Sequence, residues 1–295
     1  AGLYSAASYF LTLPGGLVLD RLLGAKRALG LGMGLLLLGY AALSQSPAAA
    51  LWLPVPLLLL GHALFKPSIQ AALVFLYERN DPRLDAAQII CYLVVNAAVS
   101  AGAVCAGLLV RGHSFSAAFS LAAGFMLIGF LMVSFGHNAF RLRPKMSAPV
   151  PSTAAVPIVM SAQKRAKIIA ALTLAMMLFT VGFGQVEGSL FLWAQDRTDR
   201  ILFGFEIPSA WFVGLPSFLV LLLAPVQLAL LPRIRQRWST PQLIALGLVA
   251  VVLAFAVLIP PALLSPCHRV SMLWLLACMT LLVVGELLIG PLGLS

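Results

Sequence analysis

Charged residues are scarce in this sequence: Asp, Glu, Lys and Arg together make up 9% of its 295 residues. Soluble globular domains carry roughly 25% charged residues, so the composition excludes an ordinary soluble domain. The four cysteines are scattered without metal-binding spacing, so we predict no metal site. The N-terminal region also lacks the pattern of a cleavable signal peptide.

Residue combinations that carry enzyme chemistry are missing too. The sequence shows no nucleophile placed with a base, no cluster of metal ligands and no phosphate loop, so we predict a protein that is not an enzyme and needs no cofactor. The net charge of +10 raises nucleic acid as a partner. However, basic residues of membrane proteins collect in cytoplasmic loops, which explains the charge without nucleic acid.

Apolar residues are what the sequence has in abundance, at 61% of the chain. Runs of about 20 of them recur along its length, as membrane-spanning helices require. The runs are continuous rather than alternating, which favours helices over barrel strands. We therefore predict an all-α polytopic membrane protein with nine spans, at residues 1–19, 28–43, 51–77, 87–110, 115–135, 168–194, 207–231, 241–259 and 270–294.

Basic residues predict the orientation of these spans. They concentrate after the first, third, fifth and seventh spans, which places those loops in the cytoplasm and the start of the chain outside. One long connection, rich in Pro, Ala and Ser, is typical of a linker. We expect an N-terminal bundle at 1–137, a cytoplasmic linker at 138–166 and a partial C-terminal bundle at 167–295. Because both ends lie in or beside apolar runs, we expect a chain that is cut at both ends.

Few residues that are charged at neutral pH lie inside the predicted spans: Lys66, Glu187 and Glu286. Such residues usually face a bundle interior or a water-filled cavity. Lys66 and Glu286 lie about 15 and 16 residues into their spans, near the midplane at about 1.5 Å per residue. A cation and an anion at one level in opposite bundles suit the two ends of a zwitterion, and a purely structural ion pair is the alternative. Snorkelling of Lys66 is disfavoured, because its span ends about 16 Å away at Tyr77.

Three polar residues of the predicted spans, Glu187 among them, can each be interpreted in two ways. Glu187 lies near the outer end of its span and is either functional or simply hydrated. Asn96 either contacts a substrate or hydrogen-bonds between helices. His62 lies one helical turn before Lys66 and could carry a proton, although a packed neutral histidine is the more common case.

Several motifs resemble those of known transporters. GGLVLDRLLGAKR, residues 15–27, resembles the loop after the second helix of Major Facilitator Superfamily transporters, with motif residues Gly15, Gly16, Asp20, Arg21 and Gly24. LFKPSIQ, NDPRLDAA and CYLVVN resemble the FKPN, DPRRD and FYxxIN patterns of the proton-dependent oligopeptide transporter family. GQVEGSL, EIPSAWF with LLAPV, and GELLIGPLGLS resemble that family's seventh, eighth and tenth helices, and all follow in the same order.

The resemblance implies that the nine spans are helices two to ten of a twelve-helix fold. The family's first helix, with its ExxER signature, and helices eleven and twelve are not represented in this sequence. By the same resemblance, Lys66 takes part in proton coupling and binds the peptide carboxylate, while Glu286 receives the peptide amino group. Asn96, with Tyr92 nearby, is implied to bond the peptide backbone.

The chain departs from the family pattern in helices four, seven, eight and ten, at Ser68, Gly184, Pro216, Ser217 and Gly290. Gly184 stands where the seventh helix often has an acidic residue. We expect Glu187, three residues later on a similar helix face, to replace that residue in proton coupling.

The sequence thus predicts a proton-coupled symporter of di- and tripeptides that works by alternating access in the plasma membrane. Its expected partners are a small peptide, a proton and the lipid bilayer. One alternative keeps the fold but carries nitrate or another small anion or metabolite. The other is a truncated membrane protein that does not transport.

Overall fold

The computed structural model describes residues 2–45, 51–77, 83–112, 114–135, 161–264 and 268–289. Its α-helices are α1 (Gly2–Phe10), α2 (Thr12–Val18), α3 (Gly24–Gln45), α4 (Pro54–Leu76), α5 (Arg83–Gly112), α6 (Phe115–Phe135), α7 (Ala162–Phe183), α8 (Ser189–Asp196), α9 (Ala210–Arg237), α10 (Thr240–Val257), α11 (Ile259–Leu264) and α12 (Leu273–Ile289). A π-helical turn, Leu19–Leu23, follows α2, and a 3₁₀ turn, Gly184–Val186, follows α7. Four two-residue strands are β1 (Thr198–Asp199), β2 (Ile201–Leu202), β3 (Phe205–Glu206) and β4 (Val270–Ser271).

Seven helical stretches in the described residues are long and apolar enough to cross a membrane, and α12 is a shorter apolar helix. Each of the nine predicted spans coincides with one or more of these helices. The lower count arises because Leu3–Gln45 is one helical stretch of 43 residues that contains the first two predicted spans. The prediction of an all-α, multi-pass membrane protein is confirmed.

The first two predicted spans are joined by a helical turn rather than by a loop. The π turn extends the helix to Leu23, and Gly24 then adopts φ +72° and ψ 159°. Glycine enters this region at little steric cost because it has no Cβ. The change of direction between the two helical segments therefore falls at one residue, Gly24, and Asp20 and Arg21 lie exposed on the π turn just before it.

The sixth predicted span is interrupted. The 3₁₀ turn follows α7, and α8 begins only after Gly188, whose φ of −108° and ψ of −102° are not helical. Glu187 lies in this interruption and is exposed. Gly184 and Glu187 both precede the non-helical residue Gly188, and the expectation that they share a helix face stays a prediction.

A short hairpin, which the sequence analysis did not predict, follows α8. Strand β2 pairs with β3 antiparallel, and β1 pairs with β4 parallel. The Arg200 guanidinium donates to the Glu206 carboxylate at 2.8 Å and to the Ile207 carbonyl at 2.6 Å. Phe203 and Gly204 at the tip have φ of 50° and 80°, as a tight type I′ turn requires.

The chain divides into two compact units, one of Ala1–Tyr92 with Gly102–Pro144 and one of Leu93–Ala101 with Lys145–Ser295. The predicted linker at 138–166 lies outside the described residues up to position 160, and α7 already begins at Ala162. Residues 78–82 of the charged loop that follows the third predicted span also lie outside the description. The domain boundaries at 137 and 167 stay predictions.

Helix α4 is central to the first unit, where it packs against α1, α2 and α3. Glycines on its neighbours make the approach close. A Cβ at Gly15 of α2 would overlap the carbonyl oxygen of Ala63, and one at Gly32 of α3 would lie 2.8 Å from the backbone nitrogen of Phe65. Small residues at such crossings allow membrane helices to pack by van der Waals contact along their backbones.

In the second unit, α12 packs against α10 and α9. A Cβ at Gly285 of α12 would lie 2.9 Å from the carbonyl oxygen of Gly247, so these two backbones also meet at glycine. The side-chain amide of Gln227 on α9 donates to the carbonyl of Leu287. Helix α12 is thus held on two sides next to Glu286.

Replacing Gly15 or Gly16 by alanine should have opposite effects on stability. Gly15→Ala forces α2 away from Ala63, and overpacking of this kind costs about 1–3 kcal/mol. Gly16 has open space at its Cβ position, so Gly16→Ala should stabilise α2 by about 0.5–1 kcal/mol. Unfolding of the purified protein in detergent measures both changes. Equal destabilisation by the two substitutions would contradict the proposed contact.

Candidate functional site

Lys66 lies in α4, and its ammonium group contacts two residues of α1. The Nζ atom is 3.9 Å from the centroid of the Tyr9 ring and 3.4 Å from the Ser8 hydroxyl oxygen, to which it donates. Ser8 is 4% exposed, and its own hydroxyl donates to the Ser5 carbonyl at 2.9 Å. The Ser8 oxygen therefore presents its lone pairs to the ammonium group.

Tyr9 and Ser8 were not among the predicted site residues. The face of a tyrosine ring attracts a cation, with a free energy of about 0.5–2 kcal/mol that grows as water is excluded. Lys66 and Ser8 are 58 positions apart in the chain. No local spacing links residues so distant, so only the folded structure reveals the pair.

The backbone around Lys66 is unusual for a helix interior because Pro67 follows it. Proline has no N–H, so the carbonyl of Ala63 receives no helical hydrogen bond from position 67. That same carbonyl is the atom against which Gly15 packs. The close contact with α2 thus lies one helical turn before Lys66.

Ser68, where the family pattern has asparagine, does not present a free hydroxyl. Its side chain is fully buried, and its Oγ donates to the Leu64 carbonyl at 2.5 Å. Serine in a membrane helix commonly makes such a bond to the preceding turn. This departure from the family pattern therefore gives Ser68 a backbone-bonding role in α4.

His62 lies in α4 one turn before Lys66 and packs against Tyr4 of α1. The two ring centroids are 6.3 Å apart with an interplanar angle of 76°, an edge-to-face arrangement. The His62 Nδ1 atom is buried and has no hydrogen-bond partner among the described residues. Tyr4, Ser8 and Tyr9 therefore place α1 along the same polar face of α4.

The remaining predicted substrate residues are distributed over both units. Tyr92 is half-buried in the first unit, whereas Asn96, 8% exposed, belongs to the segment of α5 that groups with the second unit. Glu286 is half-buried on α12 in the second unit, between the buried residues Gly285 and Leu287. The shared roles of Lys66, Tyr92, Asn96 and Glu286 stay predictions.

Near Glu187, two polar side chains bond each other. The Ser189 hydroxyl donates to Oε1 of Gln185 at 2.7 Å, and Nε2 of Gln185 donates to the Val181 carbonyl at 3.2 Å. These bonds connect α7 with the start of α8 across the interruption. Glu187 itself is exposed, and its role in proton coupling stays a prediction.

The other departures from the family pattern lie in α9, in the 3₁₀ turn or outside the described residues. Pro216 is buried and Ser217 half-buried within α9, and Gly184 begins the 3₁₀ turn. Gly290 lies outside the described residues.

A family model described as Major Facilitator Superfamily matches residues 1–295, the entire chain. The chain belongs to the Major Facilitator Superfamily. Peptide transporter YePEPT of Yersinia enterocolitica subsp. palearctica is 26% identical over 364 residues, covering 100% of this chain and 71% of that protein. Dipeptide and tripeptide permease A of Erwinia pyrifoliae is 28% identical over 340 residues, covering 99% of this chain and 69% of that protein.

Solved structures agree with this Major Facilitator Superfamily assignment. A crystal structure of the peptide transporter POT in complex with sulfate matches at a TM-score of 0.82 and 25% identity, covering 98% of this chain and 71% of that one. The predicted resemblance to proton-dependent oligopeptide transporters is confirmed along the whole chain.

The contact between Lys66 and Tyr9 should be measurable as a coupling energy. A double-mutant cycle of Tyr9→Leu with Lys66→Met is expected to give about 1 kcal/mol, and Tyr9→Phe should retain most of it because the ring face remains. The neighbouring Phe10 is an aromatic residue of similar exposure, 70% against 63% for Tyr9, so a cycle of Phe10→Leu with Lys66→Met serves as a matched control. Unfolding free energies in detergent provide the values, and equal coupling for Tyr9 and Phe10 would contradict the contact.

Proposed function

We propose that this chain is a proton-coupled symporter of di- and tripeptides that acts in the plasma membrane. The observation that carries the proposal is the placement of Lys66 inside a long apolar helix, with its ammonium held by Ser8 and Tyr9. Both of these contacts to the positive charge come from neutral groups, a hydroxyl and an aromatic ring. A substrate carboxylate is a natural counter-ion for that charge.

The relatives support peptide as the cargo. Two of them bear the names peptide transporter and dipeptide and tripeptide permease, and they align with nearly all of this chain. Glu286 adds the complementary charge, because a carboxylate on α12 suits the amino end of a peptide. In the proposed cycle, Lys66 and Glu286 bind the two ends of the zwitterion while the site opens alternately to each side of the membrane.

The proton enters this scheme through ionisable groups in or beside the membrane helices. Buried ionisable residues of membrane helices are typical proton carriers in transporters. We assign proton coupling to Lys66 and Glu187. The proposed partners are a small peptide, a proton and the bilayer, and the scheme requires no cofactor.

Removing the charge of Lys66 should abolish proton-driven peptide uptake. Truncating one partner of a buried charge pair costs about 2–5 kcal/mol, so Lys66→Gln should lower uptake at least about 30-fold. The measurement is uptake of labelled alanyl-alanine by proteoliposomes under an imposed pH gradient. Lys164→Gln, which removes an exposed lysine at the start of α7, is the control. If Lys66→Gln retains proton-driven uptake, the central assignment is wrong.

Glu286 should distinguish peptides with a free amino group from those without one. Glu286→Gln is expected to weaken alanyl-alanine binding about tenfold or more, because the ammonium group loses its counter-charge. Binding of N-acetyl-alanyl-alanine, which lacks that charge, should change little. Asp196→Asn at the exposed end of α8 is a matched acidic control. Similar losses of affinity for both ligands would place Glu286 outside the amino-group site. In the wild type, displacement of a bound probe by nitrate but not by alanyl-alanine would favour an anion carrier.

A further inference from the structure

His62 is an ionisable group that the proposed cycle has not yet used. Its ring lies against Tyr4, and its Nδ1 atom is buried without a hydrogen-bond partner among the described residues. A neutral imidazole has one N–H donor and one lone-pair acceptor, so a buried nitrogen without a partner costs free energy in either tautomer. A side chain that tolerates this cost inside the membrane is a candidate for function.

Among the described residues, the ionisable groups on the helices that pack against α4 include tyrosine phenols, and α4 itself carries the Lys66 ammonium group. Helix α1 contributes Tyr4 and, at Lys66, Tyr9; helix α3 contributes Tyr40, which lies close enough to interact with Tyr4. Helix α2 carries no ionisable side chain in its sequence TLPGGLV. The charged residues that follow α2 lie in the π turn and at the start of α3: Asp20, Arg21, Lys26 and Arg27.

His62 and Lys66 are four residues apart on α4 and therefore share one face, with Cβ atoms about 5–6 Å apart. When the imidazole takes up a proton, a second positive charge arises beside the ammonium group. Like charges at this spacing repel, and the repulsion is stronger away from water. An anion that reaches Lys66 relieves the repulsion, so protonation of His62 and binding of an anion favour each other.

We infer that His62 binds a transported proton together with the substrate carboxylate at Lys66. The proton passes from water on the outer side to the imidazole and returns to water on the inner side, and no other bond changes. By linkage, the proton raises carboxylate affinity by the same factor as the carboxylate raises proton affinity. This inference rests on the proposed peptide transport and adds a proton carrier to it.

The first test follows alanyl-alanine binding to the purified protein between pH 5.5 and pH 8. In the wild type, affinity should increase about fivefold or more as the pH falls, the lower end of typical coupling between two sites. His62→Asn, which stays polar but cannot be charged, should lose most of this increase. His268→Asn, at an exposed histidine outside the helices, should keep it. An unchanged pH dependence in His62→Asn overturns the inference while leaving peptide transport intact.

A second test uses the unsubstituted His62 and so does not depend on how a His62 variant folds. The chain has four histidines, and the signal of His62 in ¹⁵N-histidine NMR can be assigned by substituting the other three. Saturating alanyl-alanine should move the pH midpoint of His62 protonation upward, whereas N-acetylated alanine amide, which has no carboxylate, should not move it. A midpoint that alanyl-alanine leaves unchanged overturns the role of His62. A wild type that binds no dipeptide overturns the proposed function as well.

Discussion

A positive charge inside an apolar helix is the constraint around which the first unit is arranged. Lys66 lies about 16 Å from the end of its span at Tyr77, which exceeds the reach of a lysine side chain, so we expect neighbouring helices to supply groups that stabilise its ammonium. Helix α1 supplies the Ser8 hydroxyl and the Tyr9 ring. This arrangement requires closely packed helices, and the glycines Gly15 of α2 and Gly32 of α3 allow these two helices to approach the α4 backbone closely. Packing and electrostatics are therefore not separate features here, because small residues bring the polar groups within reach of the charge.

The second unit also places an ionisable residue, here the acidic Glu286, next to a close contact between helices. Glu286 lies on a helix whose backbone meets α10 at a glycine pair, and the carbonyl of the next residue, Leu287, accepts a bond from Gln227. Glu286 directly follows the close contact of Gly285 with Gly247, and Lys66 lies one turn after the close contact of Ala63 with Gly15. Rigid placement matters for recognition, because a charge that is free to move binds a partner only after it has been ordered.

The membrane class and the spans could be predicted from the sequence, since both depend on composition and local spacing. The partners of Lys66 could not, because Ser8 and Tyr9 come from a distant part of the chain. Local backbone geometry also could not be predicted from the sequence. Gly24 and Gly188 interrupt helices without a long polar loop, so the apolar runs concealed both interruptions, including the one that contains Glu187. The hairpin after α8 escaped prediction because its strands have only two residues each.

The contact of Gly15 with Ala63 also restricts how the first unit can move. Leu11 and Leu19 lie one turn to either side of Gly15 on the same face of that helical segment. Sliding α2 along α4 by one turn would bring a leucine side chain to a position where even a methyl group does not fit. The two helices are therefore interlocked in register and must rotate and translate together. A change of shape during transport would carry Lys66 along with this block, and the adjustment would fall on the connections around it.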